Sequence, residues 1–282
     1  RAGVRRPPTT RFSGKVSAHR VVELVALPLA DIKGIRQQVE GATINDIFLA
    51  TVGGALHKYL GAKGELPGRT MTAQVPMTLR GEHKGADVGN QVGLAVMPIH
   101  SEIADPLARL AAIRAGAVKA KALVSVVGKD TAKHLFDLLP ALASEALTTR
   151  VMLPTMNIVV SNVRGPDLPI YLAGAQMVAF APVSIAMNGL GLNVTGFSYH
   201  GTMWICAVSC REMLPDPAFF AACLRESFGE LKEAAERRAS AAAAEASRLK
   251  VPARPRREVS AKPPVRKTAR RRRSAEQAVS AD

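Results

Sequence analysis

The β-branched run Ile158-Val159-Val160 leads into the polar pair Ser161-Asn162. A loop follows: Val163-Arg164-Gly165-Pro166-Asp167-Leu168-Pro169-Ile170-Tyr171-Leu172-Ala173-Gly174. This stretch constrains the fold more than any other. The apolar run reads as a buried strand over residues 156–161, and the polar pair marks its end. Gly165, Pro166, Pro169 and Gly174 restrict the backbone to defined turns, so the loop is structured rather than a flexible linker.

The other periodicities fill in an α/β pattern. Residues 21–29 read as a first strand with Pro28 near its end, and residues 30–39 as a short helix. Ile44, Ile47, Phe48, Val52, Ala55, Leu56 and Tyr59 recur at helical spacing, which predicts an amphipathic helix over 43–60. Thr43 with Asp46 three residues on has the form of a capping box, with Asp in place of Glu. Residues 71–79 and 91–100 read as strands joined by a polar, Gly-rich loop. Asp105-Pro106 is an N-cap with proline in the first helical position, opening a helix to about residue 123. A third helix is expected over 131–149. Strands are expected over 176–183, 192–199 and 202–209, the last two joined by a tight turn at Tyr199-His200-Gly201-Thr202. A final helix is expected over 218–247. Mixed elements with adjacent strands predict an α/β layered domain with a mixed sheet rather than a doubly wound one.

Composition sets limits on function. The chain has 282 residues, 48% of them hydrophobic, enough for one large core. Its first residue is Arg1, so it reads as a truncated or processed chain. No window approaches the ~18–20 continuous apolar residues of a spanning helix, so any membrane contact is expected to be peripheral. Cys206, Cys210 and Cys223 have no zinc spacing and read as reduced, buried residues of a cytoplasmic protein. His19, His57, His100, His134 and His200 are scattered without metal-ligand spacing. No metal site is expected. There is no phosphate-binding Gly loop and no Gly-x-Ser-x-Gly elbow, which argues against nucleotide-binding and serine-hydrolase functions.

Several blocks in order resemble the C-terminal half of the bacterial wax ester synthase/diacylglycerol acyltransferase family. They are Pro8 to Gly14, the Asn45-Asp46 helix motif, Val75-Pro76-Met77-Thr78-Leu79-Arg80 with Gly89-Asn90-Gln91-Val92-Gly93, the Ser-Asn-x-x-Gly-Pro loop, and Gly191-Leu192-Asn193-Val194 with Ser198-Tyr199. The match runs over residues 7–235. The resemblance implies one lobe of a chloramphenicol acetyltransferase-like, CoA-dependent acyltransferase fold. In that fold two related lobes form a tunnel at their interface. It implies a long-chain O-acyltransferase of triacylglycerol and wax ester biosynthesis. Acyl-CoA would be its co-substrate, with no further cofactor, and diacylglycerol or a fatty alcohol its acceptor. The family's base lies in a His-His-x-x-x-Asp-Gly motif on the first lobe. This sequence has no adjacent histidine pair, and His83-Lys84-Gly85-Ala86-Asp87-Val88-Gly89 matches the spacing only superficially. No residue here is therefore assigned as catalytic, and the chain alone is expected to be inactive. An apolar face is expected where a missing N-terminal lobe would dock.

Seven residues are candidates for shaping the substrate tunnel: Asn45, Asp46, Ser161, Asn162, Gly165, Pro166 and Asn193. Each also has a structural reading. Asn45 and Asp46 suit a helix start. Ser161 and Asn162 would either hydrogen-bond the loop that Gly165 and Pro166 turn, or orient a thioester carbonyl or the other lobe's base. Asn193 would be either a satisfied core amide or a site group. Arg164 stands where the family usually has proline.

Three divisions are expected: a basic, extended leading segment (1–18), the lobe (19–247) and a disordered basic tail (248–282). The tail holds twelve Lys/Arg against three Asp/Glu, a net of +9 out of the chain's +15. It lacks the interleaved aromatics of single-strand binders, so nucleic acid is not an expected partner. Attraction to an anionic membrane or lipid-droplet surface fits the charge, at about 1 kcal/mol per basic residue. That would place the protein in the cytoplasm, peripheral at the inner membrane face or lipid bodies. The alternative function is a non-catalytic lipid-surface or partner-binding protein with a basic tail.

Overall fold

The computed structural model describes residues 6–78, 92–127 and 153–249; backbone alone is described for residues 77–78, 92–94, 121–127 and 249. The expected 131–149 helix, the loop before Gly89-Asn90, His83 and the basic tail beyond 249 lie outside these residues. The elements are β1 (Arg20–Pro28), α1 (Leu29–Gln38), α2 (Ile44–Ala62), β2 (Thr72–Thr78), β3 (Val92–Pro98), α3 (Pro106–Val127), β4 (Ile158–Arg164), β5 (Tyr171–Leu172), β6 (Ala175–Gln176), β7 (Leu192–Tyr199), β8 (Thr202–Cys210) and α4 (Pro217–Leu249).

Six strands form one mixed sheet in the order β1-β8-β7-β4-β2-β3. The β1/β8, β8/β7 and β2/β3 pairs are antiparallel, and β4 runs parallel to both β7 and β2. Its central strands are apolar toward the helices. Ile158, Val160, Leu192 and Val194 join Ile205 and Ala207 in the main core beneath α1, α2 and α4. Helix α2 is nearly surrounded: Leu49, Ala50, Val52, Ala55, Leu56, Tyr59 and Leu60 are all fully buried. Burying one such side chain is worth about 1.5–3 kcal/mol, so this helix anchors the lobe.

The helix signals read from the sequence hold. Thr43 caps α2: its Oγ1 accepts from the Asp46 amide (3.1 Å) and Asp46 Oδ2 accepts from the Thr43 amide (2.9 Å). Asp105 Oδ1 accepts from the Ala108 amide at 2.7 Å. At the β7–β8 turn His200 and Gly201 have φ of 42° and 82°, the left-handed pair that a two-residue hairpin requires. Arg109, only 1% exposed, has its guanidinium held by the carbonyls of Ala50, Ile103 and Ala104, tying α3 to α2.

Three expectations change. The strand expected over 156–161 is β4, Ile158–Arg164, so Ser161 and Asn162 lie within the sheet rather than after it. Parallel pairing with β7 carries β4 on, matching Ser161 to Thr195 and Asn162 to Gly196. The strand expected over 176–183 shrinks to β6, Ala175–Gln176, paired with β5 across a turn at Ala173 (φ 47°) and Gly174 (φ 84°). Pro182 sits in the segment that follows, where a continued ladder would need an amide hydrogen. The leading segment is not simply extended: residues Arg11–Ser13 form a 3-10 turn that places Phe12, fully buried, in the core.

Candidate functional site

The sheet's second face points away from the helices. Register puts Asn193, Thr195 and Phe197 of β7 on this face, beside Val159, Ser161 and Val163 of β4 and Val208, Cys206 and Trp204 of β8. Residues 165–191 form an arm that crosses part of it. Phe180 of the arm stacks on Phe197 with ring centroids 4.0 Å apart. Asn193 holds the arm down: its Nδ2 donates to Ser184 Oγ (3.1 Å) and the Ile185 carbonyl (3.0 Å), and its Oδ1 accepts from Thr195 Oγ1 (2.8 Å).

Tyr199 holds the arm's hairpin. Its hydroxyl accepts from the Ile170 amide (2.8 Å) and donates to the Met177 carbonyl (2.9 Å), on the two legs that lead into β5 and out of β6. Gly165 is required by close approach. A Cβ there would come within 2.3 Å of both the Ser198 carbonyl and the Phe197 ring, and its amide donates to Ser198 Oγ at 3.2 Å. The Pro166 carbonyl accepts from the His200 amide. Arg164 is exposed and paired with Asp167 at 3.0 Å.

The seven candidate residues therefore separate. Asp46, Gly165, Pro166 and Asn193 are engaged in caps, turns and the arm's attachment. Asn45, Ser161 and Asn162 are half-buried, and their side chains have no hydrogen-bond partner among the described residues. Asn162 faces the helices. A Cβ on its register partner, Gly196, would come within 3.2 Å of the Phe48 ring, and Phe48 lies three residues along α2 from Asn45. Residues three apart share a helix face, so Asn45 and Asn162 flank one corner of the lobe. Ser161 faces the opposite side, next to Thr195. The structure does not gather all seven at one point.

The arm itself was not foreseen as a surface. Among the described residues thirteen large apolar side chains are exposed, and nine fall between residues 163 and 187. Leu172 and Val178 are each 83% exposed, Leu168 76% and Ile185 68%. The signal was in the sequence: no Asp, Glu, Lys or Arg occurs between Asp167 and Arg211. Surfaces meant for water carry interspersed charge, whereas the buried centres of interfaces are depleted of it.

The cysteines are free and buried, and burial pushes the Cys206 and Cys223 thiols up, the latter to about 11, so neither of these two is poised as a nucleophile. No cluster of metal-ligating side chains occurs among the described residues, and no described helix is long and apolar enough to cross a membrane.

A helix-backed mixed sheet with a parallel β2/β4/β7 centre and a projecting arm defines a lobe of the CoA-dependent acyltransferase fold. The chain belongs to the wax ester synthase/diacylglycerol acyltransferase family: residues 88–232 match its C-terminal domain (WS/DGAT C-terminal domain). It is 35% identical over 231 residues to a putative diacylglycerol O-acyltransferase of Mycobacterium bovis, covering 81% of this chain and 51% of that protein. It is 34% identical over 219 residues to the probable diacylglycerol O-acyltransferase Tgs4 of Mycobacterium tuberculosis, covering 77% and 46%. The wax ester synthase/diacylglycerol acyltransferase of Marinobacter aquaeolei VT8 superposes with a TM-score of 0.68 at 27% identity, over 82% of this chain and 53% of that one. The trichothecene 15-O-acetyltransferase TRI3 of Fusarium sporotrichioides shares the fold, with a TM-score of 0.52 at 12% identity over 80% of this chain and 49% of that one. The chain thus spans about half the length of the curated relatives it matches.

Proposed function

We propose that this chain is the C-terminal lobe of a long-chain O-acyltransferase that moves an acyl group from acyl-CoA to diacylglycerol or a fatty alcohol. The chemistry is attack of the acceptor oxygen on the thioester carbonyl. The C–S bond breaks, CoA leaves as the thiol, and the hydroxyl proton passes to a base. That base is assigned to an N-terminal lobe carrying the family's paired histidines. This lobe contributes one wall of the tunnel, with Asn45, Ser161 and Asn162, whose side chains have no hydrogen-bond partner among the described residues, as its polar groups.

The observation that carries this reading is the bare arm. Eight exposed large apolar side chains between Leu168 and Met187, a stretch without Asp, Glu, Lys or Arg, are what one half of a lobe–lobe contact looks like when its partner is absent. The basic tail adds, in this proposal, peripheral contact with an anionic membrane or lipid-droplet surface from the cytoplasmic side.

The test is an assay of the purified chain with long-chain acyl-CoA and diacylglycerol. The expected result is no turnover above the uncatalysed rate. Sustained CoA release at ordinary enzyme rates would show that the chain holds its own base and would overturn the two-lobe reading.

A further inference from the structure

The β2/β4 ladder is short, and its end can be traced to one residue. β2 and β4 are parallel neighbours, yet they match only at Ala73–Ile158 and Gln74–Val159. Both strands continue, β2 to Thr78 and β4 to Arg164. The hydrogen bonds flanking β2 fix which of its backbone groups face which neighbour. The Met71 carbonyl accepts from Ile99 next to β3, whereas the Thr72 carbonyl accepts from Asn157 on the β4 side. Alternation along the strand then turns residues 72, 74 and 76 toward β4. The next amide that β2 would offer to β4 is that of residue 76, and residue 76 is proline. It has no hydrogen to donate, so the ladder ends there.

We propose that Pro76 holds open a slot between β2 and β4, and that the slot takes the pantetheine arm of the acyl-CoA in extended form. This rests on the acyltransferase reading and says which part of the co-substrate lies where. Beyond Val159 no described strand pairs with β4 on its β2 side. Its backbone groups at Asn162 and Arg164 form a strand edge there, and the side chains of Ser161 and Asn162 beside them have no hydrogen-bond partner among the described residues. A strand edge is matched by an extended chain that carries its own amides. The pantetheine arm is such a chain: uncharged, linear and interrupted by two secondary amides. Neutrality fits the site, since Arg164 at the far end of β4 is already paired with Asp167.

The experiment measures amide hydrogen exchange on the whole chain, alone and with CoA, pantetheine or a long-chain fatty alcohol. Binding is followed separately by emission of Trp204, the chain's single tryptophan. The expected result is at least ~10-fold slower exchange at the amides of Asn162 and Arg164, which alternation turns toward β2, with CoA and with pantetheine, but not with the alcohol. Pro76→Val, which restores the donor, is expected to slow the same amides without ligand and to weaken CoA binding at least ~10-fold. Should that variant not fold, the ligand comparison on the unaltered chain still decides.

CoA binding without protection of the Asn162 and Arg164 amides would overturn the slot. So would protection by the alcohol alone, undiminished binding to a folded Pro76→Val, or no binding of CoA at millimolar concentration. The acyltransferase reading is judged separately, by acyl transfer when an N-terminal lobe is supplied. Transfer with unprotected β4 amides would reject the slot and leave that reading standing.

Discussion

One sheet has two faces, and they are finished differently. Toward the helices, Ile158, Val160, Leu192 and Val194 are at most 1% exposed. Even the buried Arg109 there is satisfied by three carbonyls. On the other face, Val163 is 46% exposed, and the arm that crosses this side leaves Leu172 and Val178 almost bare. Both faces are apolar, so hydrophobicity alone does not separate core from surface. The difference lies in polar detail. Where the lobe closes on itself, the α2 cap and the Arg109 guanidinium are matched by hydrogen bonds. Where it is open, the arm carries no charge beyond Asp167, and Ser161 has no hydrogen-bond partner among the described residues. In the two-lobe account a second protein surface completes that side.

The largest predicted contrast uses one residue type on both sides. Leu56→Ala in α2 should cost about 2–5 kcal/mol, because a fully buried side chain leaves a cavity. Leu172→Ala on the arm should change stability by no more than about 0.5 kcal/mol, since its side chain is already solvated. Urea denaturation of the two variants checks this; equal losses would mean the arm is part of the lobe's own core.

Next comes the attachment of the arm. Tyr199→Phe removes an acceptor for Ile170 and a donor for Met177, costing about 1–2 kcal/mol. Exchange of the Ile170 amide should accelerate far more than that of α2 amides. A uniform acceleration would show that the hairpin is not an independently held element.

A smaller pair separates structure from site on α2. Asp46→Ala breaks the capping box and should cost about 1 kcal/mol. Asn45→Ala breaks no hydrogen bond and should stay within about 0.5 kcal/mol, yet lower the transfer rate of a complemented enzyme. If Asn45→Ala destabilises like Asp46→Ala, its role is structural and the tunnel assignment falls.

The smallest effect is a pH dependence confined to acid. Burial pushes Asp216 up, but hydrogen bonds from Lys63 (2.6 Å) and Tyr59 outweigh it and hold the carboxyl below its usual range. The stabilisation is fully present above the ordinary carboxylate value, about 4, and is lost as pH falls through the depressed one. Melting temperatures of the protein and of Asp216→Asn should therefore differ at pH 6 and converge toward pH 2.5.

Much of the fold was legible because local signals agreed with tertiary demand. Thr43-Asp46, Asp105-Pro106 and His200-Gly201 each fixed a boundary by their own hydrogen-bonding or turn chemistry. Residues 176–183 were misread because the arm is apolar for the sake of a surface, and an apolar run alone does not say whether a ladder continues. Ser161 and Asn162 were placed after the strand because polarity resembled an end; a parallel neighbour, β7, kept them in the sheet. Of the candidate site, the sequence names all seven residues, Asn45, Ser161 and Asn162 among them. Which of the seven candidates would be consumed by structure was not, because that depends on partners distant in sequence, such as Ser184 and Ile185 for Asn193. Pro76 was visible, but its meaning needed the register of β2 against β4.

The most direct test of the two-lobe claim is acyl transfer by a reconstituted pair. The chain is co-expressed with an N-terminal lobe bearing the paired-histidine motif, and CoA release is measured with and without Leu172→Asp and Ile185→Asp on the arm. The account predicts that the pair co-purifies and turns over, and that the two aspartates abolish both association and activity while the chain stays folded. Full activity and association with both charges in place would contradict it.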